Sequence, residues 1–265
     1  MSTPWPFHSL GDPHHPTLVF LHGFLGRGAD WLPVAGALSA EFHCLLPDLP
    51  GHGANTDLDP VVPFSFDLLS ESLARTLDLA GVDRPALIGY SLGGRAALHF
   101  ACNFPGRLHA LALESASPGL HTPAERDHRR RLDDDRAARL LETGLAAFLD
   151  EWYRADLWAS LQAHPDLLTA ATRDRTENDP FWTAKALADL SPGRLGPLWE
   201  RLLQLSLPVL LLSGDLDLKY TDISTEAAGR IPGARHVRIP DAGHNIHLEQ
   251  PERFVEEVRR FLRQF

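Results

Sequence analysis

The segment Gly89-Tyr90-Ser91-Leu92-Gly93 holds one hydroxyl between two glycines, which marks Ser91 as a candidate nucleophile or base. A strand-to-helix turn sharp enough to lift a side chain clear of a sheet tolerates only small neighbours. The same turn leaves the Leu92 N–H at a helix N-terminus, facing any oxygen that gains negative charge. A serine hydroxyl is a poor nucleophile and a poor base until a histidine takes its proton. Ala242-Gly243-His244-Asn245 supplies that histidine late in the chain. An acid must in turn orient the imidazole. Ser213-Gly214-Asp215-Leu216-Asp217 offers two; Asp217 is favoured because it lies further into the loop, with Asp215 as the alternative. Taken alone, the Gly-x-Ser-x-Gly run is equally consistent with an ordinary glycine turn. The chain order Ser, Asp, His, each after a strand-like run, argues against coincidence.

Other residues could complete such a site. His22-Gly23-Phe24 closes an early apolar run, and its glycine lets backbone approach, so the Phe24 N–H is the second expected oxyanion donor beside Leu92. Arg95 stands one helical turn after Ser91, where a plain ester pocket needs no charge. Arg129 and Arg173 flank Trp152-Tyr153 further on. Several guanidiniums over one pocket point to a substrate with several carboxylates, although each arginine singly reads as a surface or salt-bridged residue. His14-His15 is a pair without helical ligand spacing, and no Cys-x-x-Cys occurs, so neither a metal nor a cofactor is expected.

The elements that must position these groups alternate. Thr17–Leu21, Cys44–Pro47, Pro85–Ile88, Leu108–Leu113, Pro208–Leu212 and His236–Ile239 read as strands. Trp31–Leu38, Leu68–Leu79, Arg95–Phe104 and Glu252–Phe265 read as helices between or after them. Strands separated by crossover helices build a parallel sheet. From Pro118 to Leu205 no strand is read, only amphipathic helical stretches rich in Arg, Asp, Leu and Ala. The expectation is an α/β fold with a mostly parallel central sheet. Its core comprises residues 1–117 and 206–265, and residues 118–205 are an inserted helical cap. The runs Arg129–Arg131 and Asp133–Asp135 read as solvated helix faces.

A net charge of −10 excludes nucleic acid as a natural partner but leaves room for a locally basic pocket. Lys185 and Lys219 are the only lysines, so anion contacts fall to guanidiniums. Cys44 and Cys102 lie in apolar segments and read as buried free thiols. The N-terminal Met-Ser-Thr-Pro-Trp-Pro lacks a basic stretch followed by an apolar one, and no apolar run spans a membrane. A cytoplasmic monomer or small homo-oligomer with no membrane partner is expected.

From about Leu18 onward the chain resembles the 2-succinyl-6-hydroxy-2,4-cyclohexadiene-1-carboxylate (SHCHC) synthases of menaquinone biosynthesis, within the α/β-hydrolase superfamily. Phe20–Phe24, Asp48–Gly53, Gly89–Arg95, Pro118-Gly-Leu120, Glu151-Trp-Tyr153 with Ala159-Ser-Leu161, and Ala242–His247 carry the resemblance. The Tyr-Ser-Leu-Gly-Gly-Arg run is more specific than the strand-end turns, which the whole superfamily shares. The chain departs from the family pattern at Ser115-Ala-Ser117 and between Arg173 and Leu205. The resemblance implies Ser91, Asp217 and His244 as the triad, with Phe24 and Leu92 as oxyanion donors. It implies Tyr90, Arg95, Arg129, Trp152 and Arg173 as substrate contacts, with Arg126, Arg130 and Arg131 near enough to replace Arg129. It also implies a lyase that eliminates pyruvate from a small tricarboxylate, the triad acting as base. The alternatives are a carboxylesterase or C–C bond hydrolase with a covalent Ser91, and a binding protein that kept the fold.

Overall fold

The computed structural model describes residues 4–265; Met1–Thr3, part of the N-terminal stretch considered above, lie outside the described residues. Among the described residues seven strands form one sheet: β1 (Phe7–Leu10), β2 (Thr17–Leu21), β3 (His43–Pro47), β4 (Ala86–Tyr90), β5 (Ala110–Glu114), β6 (Val209–Gly214) and β7 (Arg235–Ile239). Their spatial order is β1-β3-β2-β4-β5-β6-β7, with β1 antiparallel to β3 and every other neighbouring pair parallel.

β2 turns Leu18 and Phe20 to one face and Val19 and Leu21 to the other; β6 does the same with Leu210 and Leu212 against Val209 and Leu211. Both faces are covered, so these strands read as unbroken apolar runs rather than as alternating ones. β1 is the exception. Its Phe-His-Ser-Leu is mostly exposed at the sheet edge, and nothing in its pattern marks a strand.

The first helices are α1 (Leu32–Leu38), α2 (Phe66–Leu79) and α3 (Leu92–Asn103). Five more lie between β5 and β6: α4 (Pro123–Thr143), α5 (Leu145–Trp152), α6 (Ala159–Gln162), α7 (Pro165–Arg175) and α8 (Pro180–Asp189). α9 (Leu218–Arg230), α10 (Ile246–Glu249) and α11 (Pro251–Leu262) complete the chain. α1 and α11 cover one face of the sheet, α2, α3 and α9 the other. The helices after β5 gather Leu140, Phe148, Trp158 and Leu187 into a cluster of their own, which also takes in Leu25 from the loop after β2. α4 starts on a reciprocal cap, Thr122 accepting the Glu125 N–H while the Glu125 carboxylate accepts the Thr122 N–H.

Cys44 is buried and Cys102 half-buried, and both are free thiols; burial pushes Cys44 up to about 12. Among the described residues no helix is long and apolar enough to cross a membrane.

Candidate active site

The chain passes from β2 outward to β3 and then returns to β4 on the other side of β2. Such a switch point opens a crevice at the C-terminal ends of the strands. The loops after β2 and β4 meet there, and they carry His22-Gly23-Phe24 and Ser91.

Ser91 joins β4 directly to α3 with φ 50° and ψ −105°, a conformation side chains rarely adopt. Its N–H donates to the Glu114 carbonyl at 2.9 Å, which anchors the turn to β5. A Cβ on Gly93 would run into the Leu21 and His22 carbonyls, and one on Gly89 would strike the Gly93 backbone. The two glycines are therefore required by contact between β4, α3 and the end of β2. Leu25, Ser91, Ser115 and Asp241 are the non-glycine residues with positive φ among those described. Each lies in the loop after a parallel strand, Ser91 at the crevice itself, and backbone strain of this kind concentrates at functional sites.

His244 Nδ1 donates to Asp217 Oδ2 at 2.7 Å, which leaves Nε2 to accept from the Ser91 hydroxyl at 3.1 Å. Asp217 and His244 are buried. Asp217 also begins α9, its other oxygen accepting the Tyr220 N–H at 3.2 Å. That double use decides between the two acids. Asp215 turns away and accepts the Asp241 N–H at 2.9 Å, holding the loop after β7 instead. Tyr220, Tyr90 and Trp158 surround the His244 ring, with centroids 4.5, 5.5 and 5.5 Å away. This arrangement can move a proton from Ser91 to His244.

The Phe24 and Leu92 N–H groups donate to no protein acceptor among the described residues. Phe24 is aimed by a buried histidine. His22 Nε2 accepts the Leu49 N–H at 2.9 Å, so its proton sits on Nδ1, which donates to the Gly23 carbonyl at 2.8 Å. Burial pulls His22 down to about 4, so it stays neutral and keeps this tautomer at neutral pH. Asp48, of the second glycine-rich turn, braces the region: its carboxylate accepts the Gly28 N–H at 2.6 Å and the Ala54 N–H at 2.8 Å.

A cavity of about 470 Å³ lies over Ser91 and His244, and Tyr90, Arg95, Arg129 and Trp152 line it. Arg95 donates to the Leu190 carbonyl at 3.2 Å and has no carboxylate partner among the described residues; burial lowers it to about 10, which leaves it cationic at neutral pH. Arg129 Nε donates to Asp133 Oδ2 at 2.8 Å. Asp133 corrects the sequence reading of a solvated face: it has no exposed surface, and the Ser191 hydroxyl also donates to it at 2.7 Å. Trp152 packs edge-on to Phe24 at 5.2 Å. The Tyr90 hydroxyl is buried without a partner, and burial with the neighbouring Glu114 charge raises its pKa well above 10, so it remains a neutral phenol.

Arg173 is not brought to this cavity. Its side chain is 76% exposed beside Asp174, and it lines a separate surface groove with Tyr153 and Gln162. Residues two apart on a helix point to nearly opposite sides. The inward-turned guanidinium of α7 is Arg175, 11% exposed and bonded to Asp30 at 2.6 Å, where it fastens α7 to the loop after β2. Conversely, Lys219, Tyr220, Trp158 and Ser160 line the cavity although the sequence reading did not select them. The signal for Lys219 and Tyr220 was local: an aspartate that starts a helix carries its next two or three residues to the same opening.

The fold and the hydrogen-bonded Ser91–His244–Asp217 chain are those of an α/β hydrolase, and the alpha/beta hydrolase fold model matches residues 16–251. The chain is 37% identical, over 95% of its length and 95% of the relative's, to 2-succinyl-6-hydroxy-2,4-cyclohexadiene-1-carboxylate synthase of Serratia proteamaculans. It is 34% identical over 96% of its length to the chloroplastic protein PHYLLO of Arabidopsis thaliana, of which it spans only 16%. The solved structure of MenH from S. aureus superposes with a TM-score of 0.93 at 32% identity, covering 99% of this chain and 98% of that one. The chain therefore belongs to the SHCHC synthase family within the α/β hydrolases.

Proposed function

We propose that this enzyme eliminates pyruvate from 2-succinyl-5-enolpyruvyl-6-hydroxy-3-cyclohexene-1-carboxylate to give SHCHC in menaquinone biosynthesis. One observation carries the reading beyond family membership. The cavity over Ser91 holds two cations without carboxylate partners among the described residues, Arg95 and Lys219, together with the paired Arg129. Unpaired charges in a partly enclosed pocket suit a substrate that brings several carboxylates.

In the proposed mechanism Ser91, His244 and Asp217 work as a base. His244, held by Asp217, takes the Ser91 hydroxyl proton, and the Ser91 oxygen takes the ring proton next to the succinyl carbonyl. Negative charge then develops on that carbonyl oxygen, which the Phe24 and Leu92 N–H groups receive. Each such donor supplies roughly 3 kcal/mol of transition-state stabilisation. The electron pair moves through the ring double bond and expels the enolpyruvyl oxygen, which is released as pyruvate once protonated. Tyr90 and Trp152 flank the ring, and residues 118–205 serve as a cap that keeps water out. No acyl-enzyme forms, no cofactor takes part, and the reaction belongs in the cytoplasm.

The test is pyruvate release from this substrate, generated in place by the preceding enzyme, with an aryl ester assayed in parallel. Fast release by wild type, lost in Ser91→Ala, with feeble ester turnover, is expected. Brisk ester hydrolysis without pyruvate release would overturn the lyase reading in favour of a covalent esterase.

A further inference from the structure

Behind the triad lies a second carboxylate–histidine pair. Glu114, the last residue of β5, has no exposed surface, and one of its oxygens accepts from His247 Nδ1 at 2.7 Å. The other accepts the His247 backbone N–H at 3.0 Å. The ring of His247 lies flat on Trp31, centroids 4.0 Å apart, with Tyr90 edge-on at 5.0 Å. A carboxylate has thus been buried where packing alone could have filled the space. Burying a carboxylate is costly unless it is fully hydrogen-bonded, and retaining one calls for a reason.

Position supplies the reason. The Glu114 carbonyl is the acceptor for the Ser91 N–H, at 2.9 Å, while its side chain grips the turn three residues after His244. One residue thus holds both ends of the Ser91–His244 contact, through backbone on one side and carboxylate on the other. A third carboxylate completes the arrangement. Glu249 accepts the Gly243 N–H at 2.9 Å and the Asn245 N–H at 3.2 Å, the two amides that flank His244. Asp217 orients the ring, Glu249 fixes the backbone beside it, and Glu114 ties that whole turn to the strand behind the serine.

We propose that Glu114, acting through His247, is a positioning residue that sets the distance and angle between His244 and Ser91. A proton relay is sensitive to displacements well under an ångström, because the hydrogen bond weakens steeply with misalignment. Asp217 and Glu249 fix the ring and the backbone beside it, but neither ties them to the strand that carries Ser91. The Glu114 grip supplies that tie from the side opposite the substrate.

The inference rests on the Ser91–His244–Asp217 reading but not on the choice of reaction, so its readout is the rate at which a fluorophosphonate labels Ser91. Glu114→Ala is expected to remain folded at the assay temperature and to label at least tenfold more slowly than wild type. Glu114→Gln, whose carbonyl oxygen accepts the His247 backbone N–H while its NH2 donates to Nδ1 of the other ring tautomer, is expected to recover to within about threefold. With the true substrate the loss should fall on kcat and leave KM within twofold. Should Glu114→Ala not fold, His247→Phe keeps the stack on Trp31 and the backbone bond to Glu114 but loses the ring half of the grip, and His247→Asn restores a donor near Nδ1; slow labelling in the first and recovery in the second are expected. Folded Glu114→Ala or His247→Phe that labels within twofold of wild type would reduce the pair to packing and overturn the proposal. Wild type that does not label at all would instead overturn the triad.

Discussion

Arg95 and Arg129 face the same cavity, yet among the described residues only Arg129 of the two has a carboxylate partner, the fully buried Asp133 at 2.8 Å. Their removal should therefore have different consequences. Arg95→Ala is expected to raise KM roughly tenfold or more with little change in thermal stability, since it strands no charge. Arg129→Ala should raise KM and also cost about 3 kcal/mol of stability, because it leaves the buried Asp133 with the Ser191 hydroxyl and only the longer, 3.6 Å ion pair to Arg136. Steady-state kinetics with urea unfolding on both variants checks the split. Equal stability losses would show that Asp133 is satisfied without Arg129.

Asp217 and Asp215 stand two residues apart in one loop and do different work. Asp217→Asn is expected to lower kcat by about three to four orders of magnitude, the amide no longer enforcing the His244 tautomer. Asp215→Asn should leave kcat within about threefold. Comparable losses in the two variants would mean the acid role is shared.

Arg173→Ala gives a sharp contrast with the arginines of the cavity. Because its side chain is exposed and far from Ser91 in the fold, KM is expected to stay within twofold of wild type. Arg175→Ala removes the Asp30 bond and should lower Tm by several degrees. A large rise in KM for Arg173→Ala would require α7 to turn inward when substrate binds.

Acid should destabilise this protein early. His22 is held down to about 4 and His52 to about 3, both by burial, against an ordinary value of 6.5. Their folded values lie below the unfolded one, so the unfolded chain takes up more protons as pH falls through 6.5. Stability is then complete above pH 6.5 and drains away toward pH 4, by about 3 kcal/mol for His22 alone. Urea unfolding at pH 7, 6 and 5 should show the decline, and His52→Gln should flatten part of it. Constant stability over that range would rule out two histidines buried in the neutral form.

The sequence by itself determined the parallel part of the sheet, the order of its strands along the chain, and a serine, a histidine and a choice of two aspartates after those strands. Apolar runs of strand length separated by helical spacing admit few arrangements, and a serine between glycines at a strand end, followed in order by an acid and a histidine after later strands, narrows them further. It also singled out Phe24, Leu92, Arg95, Arg129 and Trp152, which the fold brings to one cavity. The tertiary structure alone decided the rest. β1 became a strand because an edge offered it hydrogen bonds, not because its side chains demanded one. Arg173 and Arg175 carry the same side chain two residues apart. Which of them turned inward followed from the packing of α7 against Asp30, a partner some 145 positions earlier. Asp133 sank from an apparent surface run into the wall of the cavity because Arg129 and Ser191 were there to satisfy it. The Glu114–His247 grip joins positions 133 residues apart. Local patterning records what each residue prefers; burial and partnership between distant charges depend on which segments meet, and that is settled only when the chain has folded.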